Sequence, residues 1–472
     1  MPNPDETQLL RLLGCDPRSG TRAASGPESS AATFDADAVS RMREALLANP
    51  DAMLADAPAV LGSTPKVEDA LRLLNSAESA LRNARGTAEA VQANLSDEAY
   101  ELPPAHRFPG YDHKAIPIHP SRTQFENVAD APAWAVTAVA AWFYRRATPR
   151  PKLPVPKTDA VYPLLARDNA TTVVLFSDWG TGYYHSRYIA AHIERMRAAQ
   201  AIHLGDTYYI GSQSQYDTQV TPILEPLLRQ MPVYLLNANH EMDSQGIPYL
   251  AYLRYKGLRG IERGFTPQPQ ETSYFCLVND RYQVVGIDTA FYGAGRYRDR
   301  SLRAWLQARL DEGRAANRTT ILLSQNEPYA PEDDACVAAR RTLTLARDDL
   351  RPFIDAGLIH AWFWGDEHYT ALYEANDRMP FVGSCIGHGG YPFGRRRDDS
   401  GPADVARTFW ADTASRFDGI RELRQDRGNN GFCHLTLDTD RVVARYIDWR
   451  FRTRLLVALR RDGDRLRIEA EE

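Results

Sequence analysis

Between residues 165 and 450 the apolar positions recur as short, unbroken runs, each closed by polar residues. Thr172-Val173-Val174-Leu175-Phe176 stops at Ser177-Asp178-Trp179-Gly180. A β-branched run of that length without alternation predicts a strand buried on both faces, with Asp178 at its carboxyl end. Ile189, His192, Ile193 and Met196 follow at helical spacing, and Ala201-Ile202-His203-Leu204 then ends in Gly205-Asp206-Thr207-Tyr208-Tyr209. The two Asp are separated by roughly thirty residues, the length of one βαβ unit. Such a unit makes its strands parallel, so both carboxylates are expected on one edge of the sheet, where open α/β folds place ligands.

The pattern repeats downstream. Met231 to Leu236 leads to Asn237-Ala238-Asn239-His240-Glu241, Thr320 to Ser324 leads to Gln325-Asn326-Glu327-Pro328, and Leu358 to Trp364 leads to Gly365-Asp366-Glu367-His368. A single Asp in such a place can simply cap a loop or a helix. Oxygen and imidazole donors at five strand ends, with His at two of them, point instead to a bound metal ion.

Other stretches organise the chain around this core. Tyr282 to Asp288 reads as a further strand, and Ser301 as the cap of a helix with Leu302, Trp305, Leu306 and Leu310 on one face. Phe432 to Leu437 and Arg441 to Ile447 flank Asp438-Thr439-Asp440, and Asp462-Gly463 separates two more short strands, so the chain closes in antiparallel hairpins. Near the start, Asp16 to Ala32 reads as a Ser/Gly/Ala-rich loop. Thr64-Pro65 gives a capped helix start followed by Val67, Leu71, Leu74 and Leu81 on one face. Ala133 to Tyr144 is apolar but too short to span a bilayer, and its Trp134, Trp142 and Phe143 read as core. Thr148 to Pro163 holds five prolines, a stiff connection. The expected division is a helical accessory region at 1–147, a linker at 148–164 and an α/β catalytic domain at 165–472.

Composition narrows the classes. A chain of 472 residues, 43% hydrophobic, can bury a large core. The net charge of -5 gives no basic excess, so neither nucleic acid nor membrane is indicated as a standing partner. The 5 Cys, at 15, 276, 336, 385 and 433, have no metal or redox spacing, and the odd count suits a reducing compartment. Residues Met1 to Glu6 lack the basic start and apolar core of a signal peptide, and the expected location is cytoplasmic.

With these motifs in order, the chain resembles the calcineurin-like metallophosphoesterases, most closely their purple acid phosphatase branch. The residues carrying the resemblance are Asp178-Trp179-Gly180, Gly205-Asp206-Thr207-Tyr208-Tyr209, Ala238-Asn239-His240-Glu241, Gln325 and Gly365-Asp366-Glu367-His368. It implies a two-sheet α/β (α+β) sandwich flanked by helices, with the terminal hairpins forming the second sheet. It also implies hydrolysis of a small phosphorylated substrate by a water or hydroxide on one or two metal ions. One ion, Fe or else Mn or Zn, would be held by Asp178, Asp206, Tyr209 and His368. The other would share Asp206 and take Asn239, Gln325 and Asp366, where the family has His in place of the last two.

Both departures fall on one position and spare the other. Oxygen donors there suit a harder ion, Mn²⁺, Mg²⁺ or Ca²⁺, with Fe a further candidate, or the position is empty. By the resemblance His240 would touch the phosphoryl oxygen or protonate the leaving group; a loop-holding role is the structural counterpart. His388, in Ile386-Gly387-His388-Gly389-Gly390, is a candidate for substrate contact or for a plain turn, and Arg395-Arg396-Arg397 for anion attraction or a solvated run. His185, His192 and His203 read as packing residues. Two other functions compete with hydrolysis: non-phosphoryl chemistry at a single iron or unusual metal pair, and a retired enzyme kept as a scaffold.

Overall fold

The computed structural model describes residues 40, 43–44, 46–50, 67–68, 70–72, 74–75, 102–116, 118 and 150–470, apart from 209, 259, 261, 294, 330–344, 392, 396–406 and 421–426. The expected loop at Asp16 to Ala32, the Thr64-Pro65 cap, Leu81, the apolar stretch Ala133 to Tyr144, Tyr209, Arg396 and Arg397 therefore lie outside the described residues. Residues 67–68, 70–72 and 74–75 are helical, with Leu74 buried and Val67 and Leu71 half-buried. Among the described residues, no helix is long and apolar enough to cross a membrane.

The chain divides into two compact units. The first is Met1–Lys152 with Tyr208–Asp217 and His240–Tyr249; the second is Leu153–Thr207 with Thr218–Asn239 and Leu250–Glu472. Within the first, Ser244 Oγ donates to the Gly211 carbonyl at 2.8 Å, joining its two short segments.

The second unit is an α/β sandwich of two mixed sheets. In chain order its elements are β1 (Val161–Pro163), β2 (Thr171–Phe176), helix α1 (Tyr184–Met196), β3 (Gln200–His203), helix α2 (Thr221–Leu228), β4 (Val233–Leu235), β5 (Phe275–Val278), β6 (Tyr282–Gly286), helix α3 (Arg300–Ala315), β7 (Thr319–Ser324), β8 (Ala361–Trp364), β9 (Thr370–Tyr373), β10 (Val382–Ile386), β11 (Thr408–Ala411), β12 (Gly431–Leu437), β13 (Arg441–Asp448), β14 (Thr453–Asp462) and β15 (Arg465–Ala470). One sheet has seven strands in the order β15-β14-β13-β12-β2-β3-β4, the other eight in the order β1-β5-β6-β7-β8-β10-β9-β11.

The βαβ opening is present as the apolar runs predict. β2 and β3 pair in parallel with Val173 opposite Gln200 and Phe176 opposite His203, and β4 pairs in parallel with β3. Val173 and Leu175 join the core cluster that also holds Val284, Ile321, Leu323 and Phe363 of the other sheet. That core therefore lies between the sheets. Val174 and Phe176 are equally buried on the opposite face, which explains why the strand shows no alternation.

Two expectations need correction. The terminal hairpins do not form a second sheet, because β12 pairs antiparallel with β2, from Cys433 opposite Leu175 to Leu437 opposite Thr171, and so extends the sheet that β2 begins. Ser301 is not the cap of α3 either. Asp299 is, and its carboxylate accepts from the Ser301 and Leu302 amides at 2.9 and 3.1 Å, since an Asp two residues earlier reaches the free first-turn N–H groups. The three His read as packing residues do pack. His192 Nε2 donates to the Trp449 carbonyl at 2.8 Å, His185 Nε2 bonds the Gly390 carbonyl, and His203 packs against the rings of Phe176 and Trp179.

Candidate metal centre

The parallel strands carry their pairing past their last residues, and this positions the acidic groups. Asp178 N donates to the Gly205 carbonyl at 3.0 Å and Gly180 N to the Asp206 carbonyl at 3.2 Å, so the loops after β2 and β3 are held edge to edge. In the other sheet β7 and β8 are also parallel neighbours, and Gly365 N donates to the Gln325 carbonyl at 3.0 Å. Asp178, Asp206 and Asp366 all adopt left-handed backbone, with φ of 54°, 76° and 65°. Asp tolerates that region better than most residues, and strain of this kind collects at functional sites.

The two loop pairs meet across the sheets. Asp366 N donates to Asp178 Oδ2 at 3.1 Å, as does Ser177 Oγ at 2.7 Å. Tyr391 N donates to the Asp178 carbonyl at 2.9 Å. Gly205, at φ 112°, fits because a Cβ there would lie 2.6 Å from Ala238 Cβ and 3.2 Å from Gln325 Cγ. A side chain at Gly365 would be worse placed, 2.0 Å from Ser177 Oγ.

Asp178, Asp206 and His368 converge here, with one potential ligand atom from each lying within 4.8 Å of the others. Asp178 and Asp206 are 0% and 1% exposed. His368 Nε2 lies 3.4 Å from Asp178 Oδ1, the oxygen opposite the one bound by Ser177 and Asp366 N. Burial lowers the imidazole to about 4, against an opposing pull from Asp366, which leaves a neutral ring able to ligate. Its ring centroid is 4.2 Å from that of Tyr391. Two buried carboxylates facing one neutral imidazole are like charges in a poor dielectric, and a cation is the ordinary counter-charge for such a set. The donor set, two hard oxygens and a nitrogen, fits a first-row transition metal.

Gln325 and Asp366 lie beside this triad. Gln325 Nε2 donates to Asp366 Oδ1 at 2.8 Å and to Asp206 Oδ2 at 3.4 Å. Asn239 opens the short helix Asn239–Met242 after β4. His240 belongs to the first unit, where its ring centroid is 4.5 Å from that of Tyr208. His388 is 3% exposed, and a Cβ at Gly431 would approach its Nε2 to 2.8 Å. Burial lowers it to about 4. Of the Arg run, Arg395 Nε donates to the Thr413 carbonyl at 2.8 Å.

Three residues at the centre were not singled out from sequence. Ser177 orients Asp178, Asn326 Nδ2 donates to Asp366 Oδ2 at 3.0 Å, and Glu327 is buried against Asp366. Burial first, then the Asp366 and Glu367 charges, raises the Glu327 carboxyl well above its ordinary range. The only signal was position, since each adjoins a residue already chosen.

Strand-end loops of two stacked sheets gather two buried carboxylates and the partly exposed His368 imidazole into a candidate cation site of an α/β domain. Residues 171–370 match the family model of the calcineurin-like phosphoesterases. Among solved structures, purple acid phosphatase PPD1 from yellow lupin (Lupinus luteus) seeds is similar at 16% identity and a TM-score of 0.46, over 64% of this chain and 55% of that one. Vps29 of Chaetomium thermophilum is similar at 9% identity and a TM-score of 0.22, over 64% of this chain and 94% of that one. The chain thus spans 55% of the length of the purple acid phosphatase it matches. No curated protein matches the chain.

Proposed function

We propose that the protein is a metal-dependent phosphoester hydrolase acting on a small phosphorylated substrate. The observation that carries this reading is the convergence of Asp178, Asp206 and His368 within 4.8 Å, in a segment matched by the phosphoesterase family model. These three would hold the ion, Fe or else Mn or Zn, with Tyr209 as a further ligand by family resemblance. When bound, such an ion would acidify a water and polarise a phosphoryl oxygen. Asp178 is prepared for its part because Ser177 and the Asp366 amide hold Oδ2, which orients the carboxylate with Oδ1 on the side of His368. His368, kept neutral by burial, offers a nitrogen lone pair. His240 is assigned to phosphoryl oxygen contact or proton delivery to the leaving group, and His388 to holding the loop behind Asp178 or reaching substrate. The helical region 1–147 is assigned an accessory role, joined to the catalytic part by the Pro-rich 148–164, whose residues Val161–Pro163 already form β1. Three buried unpaired thiols, Cys276, Cys385 and Cys433, suit work in a reducing compartment such as the cytoplasm.

The test is hydrolysis of aryl phosphate mono- and diesters by protein stripped of metal and then reloaded with Fe, Mn or Zn. Turnover should need metal and should vanish in Asp178→Ala. Loaded protein that cleaves neither ester, or metal-free protein that does, would overturn the reading. A visible charge-transfer band in the iron form, lost in Tyr209→Phe, would support the phenolate ligand.

A further inference from the structure

Hydrogen-bond donors aimed at carboxylates organise the residues beside the triad. Both oxygens of Asp366 are engaged by side-chain amides, Oδ1 by Gln325 Nε2 at 2.8 Å and Oδ2 by Asn326 Nδ2 at 3.0 Å. Gln325 Nε2 also reaches Asp206 Oδ2 at 3.4 Å. The Asn326 amide cannot be turned round. Its Oδ1 already accepts from Thr289 Oγ1 at 2.9 Å and from Gly295 N at 3.0 Å, and this leaves Nδ2, which only donates, facing Asp366. Gln325 follows from Asn326. An oxygen turned toward Asp206 and Asp366 would set an acceptor against two carboxylates, an arrangement that needs a cation among the three. With its nitrogen there, the same side chain satisfies both. Among the described residues, Asp178, Asp206 and His368 are the one group of acidic, Cys or His side chains close enough to share an ion.

We infer that this centre takes a single metal ion and that the Gln325 and Asn326 amides stand in for a second cation. They do so by donating to the carboxylates that such a cation would bridge. The inference rests on the metal-dependent reading above and goes beyond it in ion number. It also gives the two departures from the family pattern one cause, because a His at 325 would remove the amide donor and a His at 366 its acceptor.

The experiment titrates metal-stripped protein with Mn²⁺, Zn²⁺ and, without oxygen, Fe²⁺, reading bound metal by elemental analysis after dialysis. Gln325→Glu is measured beside it, since it keeps the shape and replaces the donating NH₂ with oxygen. Wild type should bind one equivalent. Gln325→Glu, with a third carboxylate, should unfold at lower temperature than wild type when metal-free, bind two equivalents of Mn²⁺, and regain its melting temperature as the second binds. Two equivalents in wild type would overturn the inference and leave metal dependence standing, whereas none with any metal would overturn both. A Gln325→Glu protein with wild-type stoichiometry and melting behaviour would refute the role given to the amides. Should that variant not fold, Asn326→Asp puts the same question to the other donor: a lower metal-free melting temperature restored by Mn²⁺ supports the inference, and an unchanged one overturns it.

Discussion

The β2–β3 pair in one sheet and the β7–β8 pair in the other are built alike at the backbone. Each is a parallel pair whose hydrogen bonding continues into the loops, through Asp178 N and the Gly205 carbonyl in the first and Gly365 N and the Gln325 carbonyl in the second. Their chemistry diverges at the side chains. The first pair ends in Asp178 and Asp206, which with His368 bring potential ligand atoms within 4.8 Å of one another. The second ends in Gln325, Asn326 and Asp366, tied to one another by amide donors. One scaffold thus creates a demand for positive charge in one place and meets it with N–H groups in the other. Whether a strand end binds metal depends on the donors left between its oxygens, not on the strand.

The sharpest break in this contrast should come from Asp206→Ala, because Asp206 takes part in both halves. It is expected to lower metal affinity by more than ~100-fold, since even residues that only orient metal ligands are worth about 10–100-fold. Aryl phosphate turnover should fall with it. Full occupancy and turnover in that variant would sink the site assignment.

Gly365→Ala tests the contact between the halves. Its Cβ would press on Ser177 Oγ at 2.0 Å and on Asp178 Oδ2 at 2.7 Å, pushing apart the pair that orients Asp178. An affinity loss of about 10–100-fold is expected, within the range for second-layer changes. Elemental analysis over a chelator series measures it, and affinity equal to wild type would show that Ser177 does not position the ligand.

Asp366→Ala should behave differently from both. Bound metal should stay at one equivalent, because Asp366 belongs to the amide-tied half. Asn326 would lose its acceptor and Gln325 would keep only Asp206, and a cost of about 1–3 kcal/mol in unfolding free energy is expected for a group left unsatisfied. Denaturant unfolding together with metal content separates the outcomes, and loss of the ion would place Asp366 among its ligands.

Much of the centre was legible because unbroken apolar runs mark buried strands and the next polar residue marks the edge. Asp178, Asp206 and the stretch holding His368 were marked as candidates this way, and the structure brings one potential ligand atom of each of the three within 4.8 Å; the parallel opening was legible too. The division of strands between two sheets was not legible, since β4 and β7 carry the same kind of run whichever neighbour they pair with. The tail was misplaced for that reason, as antiparallel alternation does not say which edge a hairpin joins. The α3 cap failed at shorter range, with Asp299 and Ser301 both good caps two residues apart. The role of Asn326 was beyond reach because its orientation is fixed by Thr289 and Gly295, which are 37 and 31 residues away.

The candidate ligand imidazole of His368 contrasts with the packing imidazole of His203. His203 lies three residues before Asp206, with ring centroids of Phe176 and Trp179 at 5.0 and 5.9 Å and, among the described residues, no hydrogen-bond partner for Nε2. Burial alone lowers it from 6.5 to about 3. The native state therefore keeps His203 neutral between pH 6.5 and about 3, where the unfolded chain takes up a proton. Stability from this residue is complete above pH 6.5 and falls as the pH drops toward 3, by at most ~1.4 kcal/mol per pH unit. His203→Phe replaces the ring with one that cannot titrate and that suits the aromatic surroundings. Near pH 7 its stability should be close to wild type, while between pH 6 and 4 the variant should lose less stability than wild type. The carboxylates common to both proteins cancel in that difference. Urea unfolding at stepped pH measures it, and parallel profiles for the two proteins would mean that His203 accepts a proton without unfolding, in conflict with a dry packing site.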